Sequence, residues 1–503
     1  MTGEAVKPDH GRGNASVKSA ALWAASSQYL LFGLQFVTSV IISRFFLKPE
    51  EVGLFSVALA SAMLLSIIQD FGLTRYIGRH PTADEETVQR CTLIAIVFAL
   101  LLSLLILGIA WPVAAFYGEP RLAHILALIA ASYLFVPLST VPMALLFRRL
   151  DFRKAFTVNI SGALANSSVA LTLAALGFSA ESLAWGMIAQ SAVRAVAAQI
   201  ARPTPIRFHS GLRGFRDILS FGSESVLLYL STGIGMRTPD MIVGRILGMT
   251  AAGLFSRGSA LAVELHALVT GAVSAVYYPT FARLKDDGED LGPYYARLVA
   301  AHGAIVWPAM ILLAVLAEPV ILLLYGKTWA GAAPLLAWLA IAECLFTAVP
   351  MHLDMPILLG KVRRLLFVNL ADSTIAVATL IVGATIGLQE AAAARIAYGI
   401  GWFCLYAFWM QRLVGFDWKV VTRIYLVSAL VAAATATPAI WAVYIWKTPD
   451  TLGLFGLVVA GLGAGSTWLV SIIALRHPAR EDLIGMAKHA AGPVLSRLKL
   501  RPA

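Results

Sequence analysis

Residues 53–72 read GLFSVALASAMLLSIIQDFG and residues 253–272 read GLFSRGSALAVELHALVTGA, two long apolar stretches that open on the same four residues. Further matches follow in the same order. Tyr117-Gly118 and Val141-Pro142 recur as Tyr325-Gly326 and Val349-Pro350, and Arg153-Lys154 with Val158-Asn159 recurs as Arg363-Arg364 with Val368-Asn369. One four-residue match is weak, but several in one order, with an offset drifting from 200 through 208 to 210, mark two copies of one unit.

At 59% hydrophobic and 13% charged residues, with mean hydropathy +0.78, the chain carries far less charge than the roughly 25% of a soluble protein. Most of it belongs in lipid. A span needs about 20 mostly apolar residues, because only a helix satisfies its own backbone hydrogen bonds in hydrocarbon. Fourteen such stretches lie near 18–43, 52–72, 91–117, 122–147, 154–177, 180–201, 217–244, 252–281, 297–325, 332–357, 362–387, 391–414, 423–446 and 453–475. The expected fold class is an all-α polytopic membrane protein.

Lys and Arg set the orientation, because they stay on the cytoplasmic side. With the N-terminus inside, the outer loops hold only Arg44, Lys48, Arg121, Arg245, Lys327, Arg395 and Lys447 of the 39 basic residues. Arg194, Arg237 and Arg257 fall within spans, and the rest lie inside with both termini. The net charge of +11 is therefore topological bias and affinity for anionic headgroups, not a nucleic-acid footprint. No removable signal peptide is evident in the polar first 17 residues and the span-length stretch behind them. Cys91, Cys344 and Cys404 are far apart and have no His at ligand spacing, so neither a disulfide framework nor a metal site is indicated.

The repeat offset covers six spans, an even number, so both copies enter the membrane in the same direction and a pseudo-two-fold along the membrane normal should relate them. The expected organisation is a polar cytoplasmic tail (1–17), a six-helix bundle (18–201), a cytoplasmic linker (202–216), a second six-helix bundle (217–414), two additional spans (415–475) and a basic cytoplasmic tail (476–503). No loop is large enough for a glycosyltransferase or ATPase domain, and no Walker, Gly-x-Ser-x-Gly or His-Glu-x-x-His motif occurs. No cofactor is expected.

A charge at the centre of a spanning helix costs about 2.5–3.5 kcal/mol on insertion scales, so it usually faces a polar interior. The seventh segment carries Glu224, Arg237 and Asp240; the eighth carries Arg257, Glu264 and His266. Arg237 and Asp240 share one helical face, as do Arg257 and Glu264, while His266 projects from roughly the opposite side. An offset of 200 places Arg237 on Val37, Asp240 on Val40, Arg257 on Val57 and Glu264 on Leu64, so the scaffold forms without charge there in its other copy. Two readings stay open: these residues bind substrate in a cavity, or their pairs pin helices together. Asp70 and Arg75, at the inner end of the second segment, are read first as interfacial anchors, whereas Arg149, Arg153, Arg363 and Arg364 at the inner mouth either only set orientation or attract a pyrophosphate. Gln28, Gln35, Asn166 and Asp372 could line a hydrated path, with packing the default, and Asn159 and Asn369 are read as caps or interhelical bonds. Glu318 and Glu343 receive no role.

The run Leu47-Lys48-Pro49-Glu50-Glu51-Val52-Gly53-Leu54-Phe55, followed by Gln69-Asp70-Phe71-Gly72-Leu73, resembles the opening of the Wzx-type polysaccharide flippases, in particular their colanic-acid-exporter-like branch. Residues 141–153, 240–256 and 278–287 are similar to the same branch. The resemblance implies the multidrug/oligosaccharidyl-lipid/polysaccharide (MOP) fold, with two six-helix bundles around a cavity that opens alternately to either side of the bacterial inner membrane. It implies a non-enzymatic flippase that moves an undecaprenyl-pyrophosphate-linked oligosaccharide to the periplasmic leaflet, ahead of a polysaccharide polymerase and co-polymerase. Arg237 and Arg257 suit the pyrophosphate, although Asp240 and Glu264 partly neutralise them. The alternatives are a lipid II flippase or a cation-coupled multidrug exporter of the same superfamily.

Overall fold

The computed structural model of the chain describes residues 10–70, 77, 85–149, 151–204, 235, 237–446 and 448–483, except the side chains of 10–27, 67–70, 269, 272–276 and 450. Among the described residues every regular element is helical. The chain divides into two compact units, Met1–Arg237 and Thr238–Ala503.

The first unit contains α1 (His10–Phe45), α2 (Pro49–Asp70), α3 (Glu85–Tyr117), α4 (Arg121–Tyr133), α5 (Pro137–Arg148), α6 (Phe152–Ala175) and α7 (Glu181–Ala201). The second contains α8 (Met249–Asp286), α9 (Leu291–Val315), α10 (Ala317–Leu324), α11 (Ala332–Phe346), α12 (Asp354–Leu358), α13 (Val362–Ile386), α14 (Leu388–Val414), α15 (Trp418–Trp441) and α16 (Gly453–Ala474). Every expected span except 217–244 coincides with a described helix or a pair of helices; most of 217–244 and of the 202–216 linker lies outside the described residues. Nine described helices are long and apolar enough to cross a membrane, or ten if the pair α4 and α5 counts as one.

The duplication is visible in the packing plan of each unit taken by itself. In the first, α2 packs on α3 and α4, α4 on α7, and α6 on α7; in the second, α8 packs on α9 and α11, α11 on α14, and α13 on α14. Gly118 and Gly326, which follow the two matching tyrosines, both turn the chain at positive φ (69° and 86°), where a side chain would be strained. Helices α15 and α16 have no counterpart: α15 lies along α9, and α16 on α15.

Three expected spans are broken rather than continuous. Helix α4 meets α5 at 45°, where Leu134 bonds back only three residues, to Ala131, and Pro137 starts the next helix without an N–H. The stretch 297–325 breaks at Leu316 and 332–357 at 347–353, the latter around Val349-Pro350. Irregular backbone at membrane depth needs protein partners. The break at 347–353 has them: Tyr425 donates to the Ala348 carbonyl at 2.7 Å and Tyr295 to the Pro350 carbonyl at 3.0 Å.

Helix faces are sorted as lipid demands. On α16 the buried positions include Gly456, Ala460 and Ala464, four apart, while Leu454, Phe455, Leu462 and Leu469 are exposed. Apolar side chains gain nothing from leaving hydrocarbon, so close backbone approach and interhelical hydrogen bonds hold such bundles together. Asn166 Nδ2 donates to Gln190 Oε1 at 2.7 Å between α6 and α7, and Thr38 to Ser167 at 2.8 Å between α1 and α6. Local caps fix helix starts: Asp151 accepts from the Lys154 N–H and Asp417 from the Lys419 N–H.

Candidate functional site

Arg257 lies on the third turn of α8, half-buried, with its Nε enclosed. Two carboxylates of the second unit, those of Glu264 and Asp240, act on its charge, and the Tyr325 hydroxyl is the third group near it. Glu264 follows on the same helix, Asp240 belongs to the helical stretch 237–247, and Tyr325 is the tyrosine of the second Tyr-Gly match. Both carboxylates are half-buried. Thus Asp240, Arg257 and Glu264, set apart in the sequence, form one electrostatic group. A guanidinium on whose charge two carboxylates act can offer a planar fork to an oxyanion while its charge is compensated when no ligand is bound.

The other candidates disperse. Arg237 is exposed and ends the first unit, and Glu224 and Arg75 lie outside the described residues. Asp70 closes α2, but its side chain is not among those described. Arg149 and Arg153 are exposed at the junction of α5 and α6. Arg363 and Arg364 are exposed on the first turn of α13, and the Arg364 guanidinium lies 6.0 Å from the Trp409 ring centre.

A second polar group was not anticipated. His266 of α8 places Nδ1 2.5 Å from Glu343 Oε2 of α11, and Glu343 is only 6% exposed. A third sits between α13 and α14. Tyr398 donates to Asp372 Oδ1 at 2.9 Å, Tyr406 donates to Asn369 Oδ1 at 2.6 Å, and the Arg395 guanidinium stacks 5.0 Å over Phe346 and 5.2 Å over Tyr398. Asp372 and Asn369 therefore serve as interhelical links, as Asn166 does in the first unit. The signals for the His266–Glu343 pair were His266 and Glu343 themselves, each a polar residue in an apolar segment. They are 77 residues apart, and no local spacing could reveal the pairing.

Residues 41–334 match the family described as "Polysaccharide biosynthesis protein". The chain belongs to this family. As a polysaccharide biosynthesis protein it is 30% identical over 333 residues to the succinoglycan biosynthesis transport protein ExoT of Rhizobium meliloti (strain 1021), covering 65% of this chain and 66% of that one. It is 23% identical over 336 residues to the lipopolysaccharide biosynthesis protein WzxC of Escherichia coli (strain K12), covering 65% and 67%. The alignments span about two thirds of the length of these relatives. Among solved structures, the lipid II flippase MurJ in an inward closed conformation superposes with a TM-score of 0.73 at 13% identity, over 92% of this chain and 100% of that one. An inward-facing multidrug resistance MATE family transporter of the MOP superfamily superposes with a TM-score of 0.58 at 16% identity, over 76% and 94%. At such identities the likeness is one of fold. This family member is a multi-pass membrane protein with the MOP fold.

Proposed function

We propose that this chain is a flippase of the bacterial inner membrane, with both termini cytoplasmic. It would carry an undecaprenyl-pyrophosphate-linked oligosaccharide to the periplasmic leaflet by alternating access, for exopolysaccharide, capsule or O-antigen assembly. The observation that carries this reading is the family match, which runs from the end of the first span through the rest of the first repeat into the second and includes the segment from Asp240 to Glu264. The relatives' names place them in polysaccharide transport and biosynthesis. The physics agrees: a sugar headgroup with a pyrophosphate cannot cross about 30 Å of hydrocarbon without a polar, cationic path. Arg257 would face the pyrophosphate, with Asp240 and Glu264 returning to it when the substrate leaves. The basic residues Arg149, Arg153, Arg363 and Arg364 would attract the anion from the cytoplasmic face. A polymerase and its co-polymerase would take the translocated unit.

Deletion of the gene tests this directly. Lipid-linked repeat units should accumulate in the inner leaflet and surface polysaccharide should disappear, because polymerisation follows translocation. Normal polymer with altered sensitivity to cationic drugs would overturn the reading in favour of an exporter, and arrested peptidoglycan synthesis in favour of a lipid II flippase.

A further inference from the structure

The buried pair His266–Glu343 joins α8 to α11, and neither residue has an ionisable counterpart in the first repeat. An offset of 200 places His266 on Ser66, and an offset of 208 places Glu343 on Phe135. The scaffold therefore packs without them. On α9, which packs on both α8 and α11, His302 is 1% exposed, and neither of its ring nitrogens has a hydrogen-bond partner among the described residues. His352, in the broken 347–353 segment, lies edge-on to the Trp402 and Tyr406 rings.

The surrounding elements supply few other charges. Arg257 and Glu264 lie on α8 itself and Cys344 beside Glu343 on α11; α14 presents Tyr398, on which Glu343 acts, with Arg395 over its ring. Helix α15, packed on α9, presents Tyr425, and α10, packed on α11, carries Glu318, which is exposed.

We propose that His266 and Glu343 form a proton-binding site whose loading and unloading drives the conformational cycle; the coupling rests on the transport function proposed above. In the unloaded form, neutral His266 donates its Nδ1–H to the Glu343 carboxylate, and the pair carries one negative charge. A proton arriving from water binds the Nε2 lone pair, giving an imidazolium–carboxylate pair of zero net charge. Unloading returns that proton to water on the opposite side. A net charge inside a bundle is costly where a compensated pair is much less so. Loading therefore favours α8 closed on α11, and unloading favours their separation and hydration, which is the two-state element that coupling requires.

The full-length protein in lipid nanodiscs, labelled with ¹³C-histidine, would be followed by difference infrared spectroscopy between pH 5 and pH 8. Wild type should show an imidazole band coupled to a carboxylate band; His266→Gln should remove both changes, and Glu343→Gln should remove the carboxylate band and leave the imidazole band uncoupled. In cells, surface polysaccharide should fall about tenfold when the pH gradient is collapsed, and the charge-free double variant His266→Phe/Glu343→Leu should insert but export little at any gradient. Identical spectra in all three proteins would overturn the proposal. So would gradient-sensitive export by the double variant, which would leave the pair a packing feature. Failure of the flippase reading is separable, because the spectra are read without substrate, and normal polysaccharide in the deletion strain would remove the function while leaving the proton site standing.

Discussion

Arg257 carries the first test at the residue scale. Replacing it with Ala removes the fixed charge and strands Asp240 and Glu264, so lost ligand attraction mixes with the cost of unpaired carboxylates. The combined change Arg257→Ala with Asp240→Asn and Glu264→Gln separates the two, since no carboxylate of the group is left uncompensated. If Arg257 holds the pyrophosphate, this triple variant should reach the membrane at wild-type level while export falls at least about tenfold, and Arg257→Lys should keep part of the activity because charge survives without the guanidinium fork. Full export by the triple variant would leave only helix pinning. His477 supplies a pH test outside the spans. Its Nδ1 accepts from the Ala479 N–H at 3.1 Å, so the neutral ring carries its proton on Nε2 and points it at Ser428 Oγ, 3.0 Å away. Burial and this fixed tautomer oppose protonation, and the group is pushed from its ordinary 6.5 down to about 4. Between those values the unfolded chain binds a proton that the folded chain refuses. Stability is therefore full above pH 6.5 and falls as pH drops toward 4. Melting of the detergent-solubilised protein across that window should be less pH-dependent in His477→Gln than in wild type; equal slopes would refute the assignment.

At the scale of elements, glycines report how tightly helices cross. A Cβ on Gly383 of α13 would lie 2.7 Å from the Ala394 Cβ and 2.7 Å from the Glu390 carbonyl of α14. Gly383→Ala must push the two helices apart, at a cost of about 1–3 kcal/mol, visible as a lower Tm. Gly118 and Gly326 make the opposite case, because a Cβ at either meets open space and Ala costs only backbone strain. Gly118, at φ 69°, closes α3 with the Glu119 N–H bonding back to the Ala114 carbonyl, and Ala there should cost about 1–2 kcal/mol. Gly326, at φ 86° and ψ −179°, lies in a region essentially confined to glycine, so Gly326→Ala should lower the Tm more than Gly118→Ala; equal losses would argue against this difference. The Tyr-Gly pairs were legible in the sequence as matches, and both glycines keep a positive φ. The breaks at 134–136, Leu316 and 347–353 were not legible, because average hydropathy registers the apolar run and is blind to whether its hydrogen-bond ladder continues.

At the scale of the whole molecule the remaining prediction concerns sidedness. In a cysteine-free background, Arg480→Cys should react with a membrane-impermeant maleimide only from the cytoplasm, and Lys327→Cys only from the periplasm, as the distribution of basic residues requires. Labelling of position 480 from outside would remove the proposed orientation. The sequence by itself determined the medium, the placing of most spans and the duplication. Each of these is a property of a segment or of two aligned segments: a run of about 20 apolar residues must be a helix in lipid, whatever surrounds it. Only the tertiary structure decided which intramembrane polar groups meet. Asp240, Arg257 and Glu264 converge while Arg237, the other arginine proposed for the pyrophosphate, is exposed, and His266 finds a carboxylate to which the sequence alone assigned no role. Such pairings depend on the rotation and crossing of helices far apart in the chain. Those are set by small residues at close contacts and by interhelical hydrogen bonds, since the apolar periphery of each helix is equally content against lipid or protein.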